Sequence, residues 1–92
     1  MDGPVLLQTG PETYRVWLPD GRLLAATLAH HTRRGLELAT VPPLAVATEM
    51  IGFLLERDAL PAELVPDGAS LDLGPAVLCY PEAVEELRAR LT

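Results

Sequence analysis

Both histidines of the chain lie in one short segment, HHTRRG, where His30 and His31 precede Arg33 and Arg34. Histidine is a common metal ligand, and an arginine guanidinium binds phosphate or carboxylate groups through paired hydrogen bonds. Adjacent residues of a strand point to opposite faces, however, and no Asp, Glu or Cys lies nearby at a ligand spacing. We therefore predict no metal site here, but a strand-to-strand loop in which His31, Arg33 and Arg34 are candidate contacts to an anion.

No serine or cysteine of the sequence can be paired with a general base as a catalytic nucleophile. Ser70 is the only serine and follows a turn, and Cys79, the single cysteine, lies in the apolar run PAVLCY, where we expect a buried, inert thiol. Glu49 falls near the edge of a predicted helix, and no glycine-rich phosphate loop is present. We predict no catalytic residue, no cofactor and no enzymatic activity. An enzyme with an unrecognised site near the two histidines is the third-ranked alternative.

The only tryptophan lies in the segment TYRVWLPDGRLLAATL, which is predicted to form a β-hairpin. Its LPDG sequence suits a tight turn, because Pro fixes φ, Asp tolerates the bridge region and Gly accepts positive φ. A three-residue loop then places Trp17 opposite Leu23 and Arg15 opposite Ala25. Directly opposed residues share one face of a sheet, so the two faces of the hairpin can be read from the sequence.

The two faces of this hairpin differ in character. The face predicted to meet the core carries Tyr14, Val16, Leu18, Leu24, Ala26 and Leu28. The other face carries Thr13, Arg15, Trp17, Leu23, Ala25 and Thr27. Trp and Arg are over-represented among the residues that carry binding energy at interfaces, so Arg15, Trp17 and Leu23 are the predicted interface. The alternative is that one of the chain's own helices covers this second face.

The remaining segments predict one α+β domain over residues 1–92. We expect strands at residues 4–9 and 36–41, a helix from Pro43 to about residue 59, a strand over residues 71–80 and a helix from Pro81 onward. The final helix has acidic residues at its start and arginines at its end, as the helix dipole favours. The predicted fold is thus a small N-terminal antiparallel β-sheet of about four strands, followed by a helix, a further strand and a C-terminal helix.

The charge is distributed unevenly along the chain. The formal net charge is −6, and all of it falls in residues 42–92, which hold nine acidic residues and three arginines. Such a surface repels phosphate, so nucleic acid is not the expected partner. Every cation is arginine, which favours a GC-rich bacterial genome over heat adaptation. The sequence shows no signal-peptide pattern and no membrane-spanning run, so we expect a cytoplasmic protein without a membrane partner.

The run YRVWLPDGRLLAATLAHHTRR resembles the hairpin of the smallest bacterial translation initiation factor, an S1-type OB domain. That family shows an aromatic-Arg-Val-x-Leu-x-Asn-Gly run, then Ala five residues on and a basic stretch. The matching positions are Tyr14, Arg15, Val16, Leu18, Asp20, Gly21, Ala26, Arg33 and Arg34. The resemblance implies an RNA-facing hairpin and a basic loop. The chain departs from the family in its lack of lysine, its acidic second half and a predicted helix where the family continues with strands.

Taken together, these patterns predict a small non-enzymatic interaction protein, working as a regulator, an inhibitor or an accessory subunit. Its partner would be another protein or a second copy of itself in a homodimer, bound through the face of the N-terminal sheet. The second-ranked alternative is an OB-like nucleic-acid-binding module that uses the hairpin and basic loop of residues 13–34.

Overall fold

A computed structural model describes residues 3–92 of the chain. Its strands are β1 (Val5–Gln8), β2 (Thr13–Trp17), β3 (Leu23–Thr27) and β4 (Ser70–Asp72). Its helices are α1 (His30–Gly35), α2 (Pro43–Glu56), α3 (Leu73–Leu78) and α4 (Ala83–Leu91). The predicted α+β class is confirmed: an N-terminal sheet is followed by a helix, a further strand and a C-terminal helix.

The sheet has the strand order β1-β2-β3-β4, with antiparallel pairing from β1 to β3. The predicted hairpin register is confirmed, because Trp17 pairs with Leu23 and Arg15 pairs with Ala25. Its turn is closed by a hydrogen bond from the Leu18 N–H to the Arg22 carbonyl at 2.9 Å. Gly21 has a φ of 97°, the left-handed conformation for which this turn needs a glycine.

The fourth strand is not the one expected from alternation in residues 36–41. That segment forms no strand; it is a turn that follows α1 and buries Leu36 and Leu38. Glu37 has a φ of 60°, and the Leu38 N–H donates to the carbonyl of Arg33 at 2.9 Å, which closes the end of the helix. The alternation therefore reflects a buried turn. The sheet is completed by β4, which lies parallel to β3 and makes the sheet mixed.

Two further segments differ from their predicted conformation. The HHTRRG segment is the helix α1, where a strand-to-strand loop was expected. Of the strand predicted over residues 71–80, only the first two residues are extended, as part of β4, and the chain then continues directly into α3. In α3 the buried residues are Leu73, Gly74 and Val77, which is the spacing of one helical face. The apolar run that indicated a buried strand is thus a short buried helix.

Helices α2, α3 and α4 contribute buried residues to one core with the sheet. The core face predicted for the hairpin is confirmed, since its six residues, Tyr14, Val16, Leu18, Leu24, Ala26 and Leu28, are all buried. The longest helix, α2, contributes six more buried residues, namely Val46, Ala47, Met50, Ile51, Phe53 and Leu54. The core therefore lies between one face of the sheet and α2, and α3 and α4 pack against α2.

Ion pairs between α2 and α4 use much of the acidic charge. The guanidinium of Arg57 lies 3.6 Å from the centre of the Phe53 ring and donates to the Glu82 carboxylate at 3.0 Å. In the last turn of α4, Arg90 donates to Glu56 at the end of α2 at 2.6 Å. This hydrogen bond holds the pKa of the Glu56 carboxyl below its ordinary value. Part of the acidic half's charge is thus paired with arginines of the same chain, and these ion pairs join α4 to α2.

Tyr14 carries a polar group that the core leaves without a hydrogen-bond partner. The side chain is 1% exposed, its hydroxyl has no partner among residues 3–92, and burial raises its pKa. Since a buried unpaired hydroxyl destabilises the folded state, Tyr14→Phe is expected to raise the free energy of unfolding by about 1 kcal/mol. Urea unfolding measures this change. A loss of stability would contradict the expectation and would mean that the hydroxyl is hydrogen-bonded in the folded protein.

Candidate functional site

The side of the sheet that faces away from the helices is exposed, and we call it the open face. It is formed by Val5 and Leu7 of β1, Thr13, Arg15 and Trp17 of β2, Leu23, Ala25 and Thr27 of β3, and Ser70 and Asp72 of β4. Three of its apolar side chains are well exposed, at 62% for Val5, 54% for Leu7 and 40% for Trp17. Within residues 3–92, no helix covers this face.

Strand register arranges the open face in rows of graded polarity. The first row is entirely apolar and runs Val5, Trp17, Leu23 across three strands. The second row places Arg15 between Leu7 and Ala25. The third row is polar and consists of Thr13, Thr27 and Asp72. The face therefore offers an apolar end, one central cation and a polar end, which is an asymmetric pattern that can orient a partner.

The predicted interface residues are confirmed as neighbours, but the sequence prediction omitted two members of the surface. Arg15, Trp17 and Leu23 lie side by side on the open face, with Leu23 half-buried. Val5 and Leu7 belong to the same surface and are its most exposed apolar residues. The signal that could have found them is the alternation of the PVLLQT segment, once that strand is aligned antiparallel to β2.

The β3 side of the open face is held in place by the second PDG turn, at residues 66–68. The carboxylate of Asp67 accepts a hydrogen bond from the Leu23 N–H at 2.7 Å, and the Gly68 N–H donates to the Leu23 carbonyl at 2.8 Å. Arg15, Leu23, Ala25, Asp67 and Gly68 line a shallow groove of about 240 Å³ beside this contact. Because both backbone groups of Leu23 are bonded, its side chain is presented from a fixed position.

Arg22 fixes the end of the hairpin that carries Trp17 and Leu23. Its guanidinium donates to the carbonyl of Val65 at 2.5 Å and to the carbonyl of Leu60 at 2.6 Å. These bonds attach the hairpin turn to the segment that links α2 to β4. The apolar end of the open face is therefore tied to the rest of the fold, and we expect binding there to order little additional backbone.

The predicted anion-contact residues do not gather at one surface. Arg33 is buried, at 8% exposure, and its guanidinium donates to the carbonyls of Ala39 and Val41 at 3.4 Å and meets the His30 ring nitrogen Nδ1 at 2.9 Å. Arg33 therefore holds the turn after α1 and does not point to solvent. His31 and Arg34 are exposed. For these two residues, contact with an anion stays a prediction.

A second groove lies beside His31, between α1, α3 and α4. It measures about 440 Å³, and its walls include Thr32, Leu36, Leu78 and Val84. No other titratable side chain lines it, so His31 has no partner there for acid–base chemistry. Across residues 3–92, no group of three or more His, Cys, Asp or Glu side chains is placed to hold a metal ion.

The two nucleophilic side chains lie apart from this groove. Cys79 is exposed, so the expectation of a buried thiol was wrong, because the segment that carries it is a helix end and not a buried strand. Its thiol donates to the carbonyl of Ala76 at 3.2 Å. Ser70 lies on β4 at the polar side of the open face. Neither residue makes a hydrogen bond to a histidine or a carboxylate within the described chain.

Comparisons with known proteins identify no relative of this chain. No protein-family model, no curated protein and no solved structure matches this chain. The fold also departs from the OB domain that the hairpin resembles, since α1 and α2 follow the hairpin where that family continues with strands. None of the helices in residues 3–92 has the length and apolar character needed to cross a membrane.

Proposed function

We propose that the protein is a small non-enzymatic interaction protein, a regulator, an inhibitor or an accessory subunit, that binds another protein or a second copy of itself through the open face. One observation carries this proposal. Val5, Leu7 and Trp17, each at least 40% exposed, lie next to one another on one face of the sheet. Isolated exposed apolar residues are ordinary, but a contiguous exposed apolar surface marks a binding site.

The composition of the open face supports a protein partner of defined chemistry. Trp17 supplies a large apolar side chain. Arg15, in the next row of the same face, supplies a planar guanidinium that can donate hydrogen bonds to a carboxylate. A fitting partner therefore carries an apolar patch with an acidic side chain about two residues away along a strand. Arg57, which follows α2, and Arg90 of α4 are paired with carboxylates of the chain itself, so they do not compete for such a partner.

The proposal extends to where the protein works and to what it does not bind. We place the protein in the bacterial cytoplasm. All of its basic residues are arginine, which favours a GC-rich bacterial genome, and its single cysteine cannot form an internal disulfide. Nucleic acid is the less favoured partner, because the net charge is −6 and Arg33, one of two arginines in the supposed basic loop, is buried.

Replacing Trp17 tests the proposed function. Trp17→Ala is expected to reduce recovery of the protein partner that co-purifies with the tagged chain by at least tenfold, since a central tryptophan contributes about 2 kcal/mol or more to an interface. Leu64→Ala is the matched control, because Leu64 is a large apolar residue with 79% exposure that lies outside the open face. The measurement compares partner recovered per mole of tagged protein in the source cells.

The opposite pattern would reject the proposal. If Trp17→Ala and native protein recover the same partners in the same amounts while circular dichroism shows both to be folded, the open face is not the binding surface. Equal losses for Trp17→Ala and Leu64→Ala would also reject it, since the effect would then not be specific to the open face.

A further inference from the structure

The first strand of the sheet presents a free edge. Directly after β1, the Thr9 N–H donates to the Thr13 carbonyl at 2.9 Å, which identifies these two residues as a hydrogen-bonded antiparallel pair. Hydrogen-bonded pairs alternate along such a ladder, so Leu7 and Val5 also direct their backbone groups toward β2. The N–H and C=O groups of Leu6 and Gln8 therefore point away from the sheet.

This edge lacks the features that usually protect an exposed strand. Natural sheets protect their edges with charged side chains, bulges, proline or very short strands. The other edge strand, β4, has three residues, includes Asp72 and runs directly into α3. In contrast, β1 reads VLLQ, with no charge and no bulge in its pairing to β2. Only Pro4, just before it, removes a donor from the edge.

We propose that a second copy of the chain pairs antiparallel with the free edge of β1. In the register that fits best, Leu6 of one copy lies opposite Gln8 of the other, so that the outward N–H and C=O groups of both residues are all bonded. Leu7 then lies opposite Leu7 of the second copy at the two-fold axis. Any register that brings Pro4 into the ladder loses a hydrogen bond, because proline has no N–H.

A second copy is the occupant that the edge itself favours. The outward groups of Leu6 and Gln8 form a self-complementary pattern, as a two-fold symmetric interface requires. No like charges meet at this axis, because β1 is uncharged and Arg15 lies one strand further in. The acidic side chains of α2 and α4 lie on the helical layer and are partly neutralised by Arg57 and Arg90.

The area of the open face gives a second reason for pairing between two copies, and this reason rests on the proposed function. Four strands of three to five residues, about 4.8 Å apart, give a face of roughly 300 Å². A standard protein interface takes about 800 Å² from each partner, so the face of one copy is small for a stable complex. Edge pairing makes one continuous eight-stranded face of roughly 600 Å², with Val5 and Leu7 of both copies at its centre.

Cysteine cross-linking tests this pairing in the full chain. With exposed Cys79 replaced by Ser, Leu7→Cys is expected to form a disulfide-linked dimer in a redox buffer, because the opposed Cα atoms lie about 4.5 Å apart in this register. Val5→Cys is the matched control. Val5 lies on the same strand and face and is also exposed. In the proposed register, however, Val5 of one copy lies four residues along the strand from Val5 of the other, about 13 Å away.

The expected result is at least tenfold more cross-linked dimer for Leu7→Cys than for Val5→Cys at equal protein concentration. Equal yields from the two variants, or no cross-link from Leu7→Cys up to millimolar protein, would overturn the proposal. This outcome can be told apart from failure of the proposed function. If Leu7→Cys does not cross-link and Trp17→Ala still loses its partner, only the dimer is rejected.

Discussion

Val16→Glu is expected to unfold the protein, whereas Trp17→Glu, one residue further along the same strand, leaves it folded. Val16 is fully buried between the sheet and the helices, in a cluster of apolar side chains. An uncompensated buried charge costs about 3–5 kcal/mol, to which the loss of the valine packing adds. This approaches the whole stability of a domain of this size, which is of the order of 5–15 kcal/mol.

Trp17→Glu is the internal control for this result, because it places the same carboxylate on the open face. The side chain at this position is 40% exposed and can reach water, so the expected loss is about 1 kcal/mol from the contacts with its cross-strand neighbours. Far-UV circular dichroism and urea unfolding compare both variants with the native chain. Unfolding of both would contradict the structure, since it would require a cover over the open face.

Arg33→Ala is expected to lower the free energy of unfolding by about 2 kcal/mol. The guanidinium of Arg33 is buried and supplies the donors for the carbonyls of Ala39 and Val41, in the turn that replaces the predicted fourth strand. Removing it leaves two carbonyls in the turn without a donor and opens a space under α1. The turn should therefore loosen, and hydrogen exchange of the Leu38 N–H should accelerate together with the loss of stability.

Arg34→Ala provides the comparison, because Arg34 is exposed and follows Arg33 directly in the same helix. Its loss should change stability by less than about 0.5 kcal/mol, as for most surface substitutions. Equal effects of the two substitutions would contradict the assignment of Arg33 as a structural residue. If both effects were small, neither arginine would hold the fold.

The hairpin could be predicted from the sequence because its determinants are local. The LPDG turn fixes the register, and the alternation of apolar residues over five positions then assigns each side chain to a face. Val16 and Trp17 were placed on opposite faces by this reasoning, and the structure confirms it. The candidate site on the open face follows from the same local argument, except for the contribution of β1.

The other elements depend on contacts that no local pattern specifies. The pairing of β4 with β3 is parallel and non-local, and it depends on the bonds that Asp67 and Gly68 make to Leu23. Apolar runs of five or six residues suit a strand and a buried helix equally well, which is why α3 was mistaken for a strand. Burial of Arg33 could not be foreseen, because it requires the turn at residues 36–41 to fold over the guanidinium.

The most direct test of the open face as a binding surface is photo-cross-linking from two exposed alanine positions. A photoreactive amino acid replaces Ala25, at the centre of the open face, or Ala89, on the outer side of α4, and the source cells are irradiated. A discrete cross-linked species from position 25 and none from position 89 is the predicted result. Its mass distinguishes a second copy of the chain from another protein. Cross-linking from position 89 alone, or from neither position, would contradict the assignment of the open face as the site of binding.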